Sequence, residues 1–181
     1  LEEYEGYAWT AHGRYPTNTP GWWGGAHPFS ILDYSVVHNG EISSYDANRR
    51  FIEMYGYNCS LLTDTEVITY IIDFLVRRKG LTLEEAAGVI AAPFWSTIEQ
   101  MPEAQRERLA YLRETFASLL ITGPFSILLG FTGGMMALND RLKLRSMVCA
   151  EKGEAVYFAS EECAIRVMEP DVETLWAPRG G

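Results

Sequence analysis

The sequence is short of positive charge. Lys and Arg number 15 against 24 Asp and Glu, and the formal net charge is −9. Proteins that bind nucleic acids need clustered basic residues for the phosphates. The longest basic run is Arg77-Arg78-Lys79, which is typical of a solvated helix end near its own carbonyl groups. We therefore expect no nucleic-acid partner.

The sequence also has little cysteine and no long hydrophobic run. Cys59, Cys149 and Cys163 are too few and too irregularly spaced for a disulfide framework, a zinc site or an iron–sulfur cluster. We interpret them as small buried hydrophobic residues in a reducing compartment, which predicts a cytoplasmic location. No apolar run reaches the roughly 18 residues of a membrane span, and no signal peptide is recognisable, so no membrane partner is expected.

What remains is a chain of 181 residues with 48% hydrophobic and 22% charged residues, which is typical of a globular domain with a sizeable core. The chain begins at Leu1 rather than Met and ends at Gly180-Gly181. We therefore interpret residues 1–181 as a single domain that is a fragment or a processed piece of a longer chain.

Secondary structure is predicted from apolar spacing and from turn and capping residues. Helical spacing predicts helices at 47–55, 64–78, 82–90, 103–120 and 160–168, with capping boxes at Thr63/Glu66 and Thr82/Glu85. Apolar runs between turn residues predict strands at 7–10, 34–38, 125–131, 135–138, 146–150, 155–159 and 172–176. Residues 26–29 are predicted to form a loop and Asn39-Gly40 a turn. The order predicts an α+β domain in which helices cover antiparallel sheets.

Two short segments carry candidate site residues. Arg14 keeps its charge, and its planar guanidinium suits a carboxylate. Asn39 offers a side-chain amide, and Gly40 offers a backbone N–H that a ligand can approach closely. Together they outline an acyl-transfer site without a nucleophile. Taken alone, however, Asn-Gly is most often a hairpin turn, and Asp64 in a first helical turn is most often a capping residue.

Several segments, in the same order along the chain, resemble the class II glutamine amidotransferase domain. They read HGRYPTNT at 12–19, AHPF at 26–29, HNGEI at 38–42 and TDTE at 63–66, followed by GPFS at 123–126, NDR at 139–141, LR at 144–145 and ASE at 159–161. Thr17-Asn18-Thr19 and the loop containing Trp22-Trp23 are most similar to the glutamate synthase branch. The resemblance covers nearly the whole chain.

The resemblance implies the N-terminal-nucleophile hydrolase fold. This is a four-layer αββα sandwich of two antiparallel sheets between helix layers, and its first strand is expected to be missing from this chain. It also implies a mechanism in which an N-terminal cysteine attacks the side-chain amide of glutamine while its own α-amine handles the proton. Ammonia leaves, and water hydrolyses the glutamyl thioester to glutamate. A thiolate is a good nucleophile near neutral pH, and an α-amine titrates close enough to act as its base.

The resemblance also implies residue roles and partners. Arg14 would bind the α-carboxylate of glutamine, with Thr17 nearby, and Asp64 would bind the α-ammonium group. Asn39 and Gly40 would form the oxyanion pair. The implied partner is an ammonia-accepting synthase domain or subunit, most similar to glutamate synthase. FMN and iron–sulfur clusters would belong to such partner domains, and neither a cofactor nor a metal is expected in this chain.

The N-terminal residue departs from the family pattern. Leu1 cannot be the nucleophile, and no internal cysteine has a free α-amine. One interpretation is an enzyme domain whose cysteine lies outside this chain. The other is a non-catalytic glutamine-binding or scaffolding module of the same fold. A different amide hydrolase is disfavoured, because Arg14 and Asp64 together select a free amino acid.

The stretch from Thr82 to Leu120 is a docking surface or a covering layer, and its alternating charges favour the covering layer.

Overall fold

The computed structural model describes residues 5–15 and 21–181, which form two antiparallel sheets with helices. The four-stranded sheet has the order β1-β2-β3-β4, and the three-stranded sheet has the order β6-β5-β7. The predicted α+β architecture with antiparallel sheets is thereby confirmed. The strands are β1 (Phe29–Ile31), β2 (Tyr34–Gly40), β3 (Phe125–Phe131), β4 (Gly134–Asn139), β5 (Val148–Lys152), β6 (Ala155–Ala159) and β7 (Thr174–Trp176).

Most of the helices lie in one insertion between two paired strands, β2 and β3. They are α1 (Tyr45–Met54), α2 (Asp64–Asp73), α3 (Leu83–Ile90), α4 (Trp95–Ile98) and α5 (Glu103–Thr115), and α6 (Glu162–Met168) follows β6. Helix α2 contacts β1, β2 and α1, whereas α6 packs against β6. No helix within residues 5–15 and 21–181 combines the length and the apolar character that a membrane span requires.

Helix α2 is the centre of the hydrophobic core. Its aliphatic residues are at most 1% exposed, namely Val67, Ile68, Ile71 and Ile72. Buried polar groups need hydrogen-bond partners, and α2 has them near both ends. The Glu66 carboxylate accepts the backbone N–H groups of Ser60 and Leu61, and the Asp73 carboxylate accepts bonds from Tyr57 and Arg77. The position of α2 is therefore fixed by apolar packing and by hydrogen bonds together.

One of the two predicted capping boxes is wrong. Thr63 precedes α2 but its side chain makes no capping hydrogen bond, and the Glu66 carboxylate bonds to the preceding loop instead. The capping box at the start of α3 is confirmed. The Thr82 hydroxyl accepts the N–H of Glu85, and the Glu85 carboxylate accepts the N–H of Thr82.

Several predicted boundaries also change. Residues 7–10 belong to no strand, and Phe29, predicted in a loop, begins β1. Asn39 and Gly40 form the end of β2 rather than a turn, because they pair with Ser126 and Phe125 of β3. Helix α5 ends at Thr115, and a 3₁₀ turn follows at Ala117–Leu119. Cys59 and Cys149 are buried as predicted, but Cys163 is exposed on α6, so the prediction for Cys163 is wrong.

A buried carboxylate anchors the loop that follows β4. Asp140 is 3% exposed, and its side chain accepts the backbone N–H groups of Phe125, Leu142, Leu144 and Arg145. Hydrogen bonds to an ionised acceptor are among the stronger ones in proteins. Asp140 thus joins the start of β3 to the loop that carries Arg145.

We expect Asp140→Ala to lower the free energy of unfolding by about 3 kcal/mol, because several backbone N–H groups lose a charged acceptor at once. Urea denaturation followed by circular dichroism measures the change. Asp171→Ala is the matched control, since Asp171 is exposed, and it should shift the midpoint little. Equal midpoints for the two variants would show that the Asp140 contacts contribute nothing net.

Candidate active site

A cavity of about 290 Å³ opens where the end of β2 meets the start of α2. Its lining residues come from the loop at 12–15, from His27, from 38–41, from the first turn of α2 and from the loop after β4; they are His12, Gly13, Arg14, Tyr15, His27, His38, Asn39, Gly40, Glu41, Asp64, Thr65 and Arg145. The structure therefore brings Arg14, Asn39, Gly40 and Asp64 to one cavity. Thr17, the remaining predicted contact, lies outside the described residues.

Arg14 lies directly against the backbone of the loop that precedes β1. A Cβ atom on Gly25 would come within 2.9 Å of Arg14 Nε and 3.0 Å of Cζ. A side chain at position 25 would therefore require the guanidinium to move from this position. Gly25 is buried, so the backbone of the loop that contains Trp22 and Trp23 supports the cation.

Gly40 is needed for close backbone approach. A Cβ atom there would overlap the carbonyl oxygen of Pro124, and it would lie 2.7 Å from Phe125 Cα and 2.9 Å from His38 Nε2. The following N–H, that of Glu41, donates to the same Pro124 oxygen at 2.9 Å. Glycine is therefore required here by the approach of β3 rather than by a turn.

Asp64 begins α2 and its carboxylate lies beside a buried histidine. Its Oδ1 lies 3.4 Å from His38 Nδ1. Burial acts to raise the pKa of Asp64, but the hydrogen bond and charge of His38, with the backbone N–H groups of Ile42 and Thr65, outweigh it. The pKa of Asp64 consequently lies below its ordinary value. The side chain is 19% exposed, so an anionic carboxylate faces the cavity.

Sequence reasoning missed a cluster formed by all three histidines of the chain. The rings of His12 and His27 have centroids 4.1 Å apart. The hydroxyl of Thr65 joins His27 to His38, because its Oγ1 lies 2.7 Å from His27 Nε2 and 3.3 Å from His38 Nδ1. The signal in the sequence was that each histidine falls within one of the segments resembling the family, although no role was assigned to it there.

Two members of the cluster, His12 and His27, are held in the neutral form. Burial, followed by the charges of His12, His38 and Arg14, lowers the pKa of His27 to about 4, with Asp64 opposing the shift. Burial, His38 and Arg14 also lower the pKa of His12. The cavity is also lined by two carboxylates, those of Asp64 and Glu41, and by two guanidinium groups, those of Arg14 and Arg145. This balance suits a zwitterion with an uncharged side chain.

Metal binding has no visible support in the part of the chain that the structure describes. No group of three or more His, Cys, Asp or Glu side chains within it is arranged to hold an ion. The histidine cluster instead makes its contacts through Thr65 and through ring packing.

Comparison with known proteins places the chain in a family. No family model matches it. It is 51% identical over 180 residues to an uncharacterized protein of Archaeoglobus fulgidus, covering 99% of this chain and 48% of that protein. It is 33% identical over 145 residues to a putative glutamine amidotransferase of Methanothermobacter thermautotrophicus, covering 78% of this chain and 38% of the relative. It belongs to the class II glutamine amidotransferase family.

A solved structure supports the fold of this amidotransferase domain. Glutamine phosphoribosylpyrophosphate amidotransferase from B. subtilis superposes with a TM-score of 0.60 at 18% identity, covering 92% of this chain and 30% of that one. The predicted N-terminal-nucleophile hydrolase fold is thereby confirmed. The chain spans about half or less of the length of each of these proteins.

The histidine cluster predicts a pH-dependent stability. The pKa of His27 is about 4 in the folded domain and 6.5 ordinarily, so between these values the unfolded chain binds a proton that the folded chain does not. The free energy of unfolding should therefore fall as the pH is lowered through this window.

We expect His27→Gln to weaken this dependence, because glutamine does not titrate and can still bond to Thr65. Urea denaturation at about pH 7 and about pH 5 measures it. The loss of stability between the two pH values should be smaller in the variant than in the parent, with His12 retaining part of it. Identical losses would contradict a neutral, half-buried His27.

Proposed function

We propose that this domain binds glutamine and hydrolyses its side-chain amide to glutamate and ammonia, with an N-terminal cysteine that is not present in this chain as the nucleophile. The observation that carries the proposal is the convergence of Arg14, Asp64, Asn39 and Gly40 on one cavity. These groups come from a loop, a helix start and a strand end, which are far apart in sequence.

The charges of the cavity support a free amino acid as ligand. The guanidinium of Arg14 can bind an α-carboxylate through charge-assisted hydrogen bonds, and the anionic Asp64 can bind an α-ammonium group. Ligand cavities range upward from about 300 Å³, and a cavity of about 290 Å³ suits a molecule of this size. With glutamine as the ligand, Arg14 would bind its α-carboxylate and Asp64 its α-ammonium group. Thr17 is predicted to contact the same molecule.

The end of β2 supports the chemical step. When the cysteine thiolate adds to the amide carbon, a C–S bond forms and the carbonyl oxygen becomes an oxyanion. The Asn39 amide and the Gly40 backbone N–H would stabilise this charge, and loss of one such donor typically costs about 10²–10³ in rate. The cysteine α-amine, having taken the thiol proton, returns it as an α-ammonium group to the nitrogen, and the C–N bond breaks. Ammonia leaves, and water hydrolyses the thioester to glutamate.

The acceptor forms a further part of the proposal. We propose that ammonia passes to an acceptor domain or subunit of the glutamate synthase type, supported by the similarity of Thr17-Asn18-Thr19 and of the Trp22-Trp23 loop to that branch. FMN and iron–sulfur clusters would then belong to the partner, with no cofactor in this chain. The free thiols of all three cysteines are in keeping with a cytoplasmic location.

A second candidate is a glutamine-binding or scaffolding module without catalysis. The observation that favours it concerns the cysteines, since none of them lines the cavity. Burial raises the pKa of Cys59 to about 11 and also raises that of Cys149. The hydrogen bond to Glu161 raises the pKa of the exposed Cys163. Without an N-terminal cysteine, the site would bind glutamine and leave its amide intact.

We expect Arg14→Ala and Asp64→Ala each to weaken glutamine binding by about 10- to 100-fold, which corresponds to the loss of one charge-assisted interaction. Isothermal titration calorimetry of this chain with glutamine measures the affinity. Arg106→Ala is the control, because Arg106 is exposed on α5, and its affinity should equal that of the parent. Unchanged affinity in both site variants would overturn the assigned site.

Ammonia release by the full-length protein separates the two candidates. Hydrolysis that fails in Arg14→Ala and Asp64→Ala supports the enzyme. Glutamine binding without ammonia release supports the non-catalytic module.

A further inference from the structure

We propose that Ser160 is a positioning residue for the oxyanion site, which it serves by holding the side-chain amide of Asn39 in one orientation. The proposal rests on the proposed function. Ser160 does not line the cavity and acts through Asn39.

The contact joins the two sheets. Asn39 lies near the end of β2 in the four-stranded sheet, and Ser160 directly follows β6 in the three-stranded sheet. Asn39 Nδ2 donates to Ser160 Oγ at 2.8 Å, across 121 positions of sequence. This distance is at the short end for an N–H···O hydrogen bond. One proposed catalytic group is thus hydrogen-bonded to the residue that follows a strand of the three-stranded sheet.

An oxyanion donor needs this support because the asparagine amide can present either of its ends. The terminal torsion of asparagine is broad and roughly two-fold. Rotation by half a turn would place the Oδ1 oxygen where the N–H belongs, and it would repel the developing negative charge. The amide has two N–H groups. In the observed orientation Ser160 accepts one of them, which leaves the second available with its direction set before the reaction.

Ser160 is itself anchored by a chain of hydroxyl groups. Ser146 Oγ donates to the backbone carbonyl of Ser160 at 2.8 Å. Ser126 Oγ lies 3.2 Å from the carbonyl of Ser146 and 3.0 Å from Asn139 Oδ1, and its single proton serves these acceptors. Ser126 is also the cross-strand partner of Asn39. The chain of contacts therefore begins at Asn39, crosses to the second sheet and returns beside Asn39.

The test compares Ser160→Ala, which removes the acceptor, with Ser160→Thr, which keeps a hydroxyl. In the full-length protein, Ser160→Ala should lower kcat for ammonia release by about 10-fold, less than complete loss of a donor. KM for glutamine should change less than about two-fold, because Arg14 and Asp64 supply the binding. Ser160→Thr should restore most of kcat. Ser96→Ala, on the exposed face of α4, should have no effect.

A second readout needs neither the nucleophile nor glutamine. In ¹H–¹⁵N spectra of this chain, the two side-chain amide protons of Asn39 should exchange slowly with solvent in the parent and in Ser160→Thr. In Ser160→Ala they should shift and exchange faster, while the spectrum elsewhere is preserved.

Each outcome decides the proposal. Unchanged kcat and unchanged Asn39 resonances in Ser160→Ala would overturn it, and so would a loss of stability with kcat intact. If the wild-type full-length protein releases no ammonia, the proposed function falls and the catalytic role of Ser160 falls with it. The Asn39 resonances would still report whether the hydroxyl holds the amide, so the two failures are distinguishable.

Discussion

The burial of α2 against the four-stranded sheet is the constraint on which the site depends. Each fully buried aliphatic side chain contributes about 1.5–3 kcal/mol, and Ile68 and Ile71 on this helix are fully buried. Rotating the helix would expose them and break the hydrogen bonds of Glu66 and Asp73. The first turn of α2 therefore has a fixed direction, and Asp64 and Thr65 are held at the end of β2.

The same packing leaves polar groups at the cavity with few partners. Among the described residues, the buried ring nitrogens His12 Nδ1, His27 Nδ1 and His38 Nε2 have no hydrogen-bond partner. Most buried polar atoms in folded proteins do have one, and exceptions concentrate where function requires them. The hydrophobic core thus stabilises a site whose own polar groups are incompletely satisfied. In the proposed function, this is the region that receives the ligand.

The sequence predicts most of the local structure and only part of the site. Helical spacing located α2, and capping chemistry located the start of α3, since both signals lie within a few residues. Strand β1 was missed because three residues after Pro28 carry too short a pattern. The turn predicted at Asn39-Gly40 followed local preference, whereas pairing with β3, far along the chain, keeps these residues in a strand.

Contacts between distant segments explain the remaining misses. The sequence could point to Arg14 by its charge and to Asp64 by the resemblance of its segment to the family, because each residue belongs to a short motif. The bonds of Thr65 to His27 and His38, and that of Asn39 to Ser160, join residues that share no motif. The sequence alone does not predict which group a Ser or Thr hydroxyl will bond to, because the fold brings the partner into contact.

The kind of structural element that holds each site residue matches how precisely that residue must be placed. Charge attraction falls slowly with distance, so a loop and a helix start suffice to hold Arg14 and Asp64. A hydrogen bond to a developing oxyanion needs a donor placed within a fraction of an ångström. Under the proposed function, that task falls to Asn39 and Gly40 at a strand end, which β3 holds on one side and Ser160 supports from the second sheet. A two-sheet fold can hold such a group from both sides, which a loop alone cannot do.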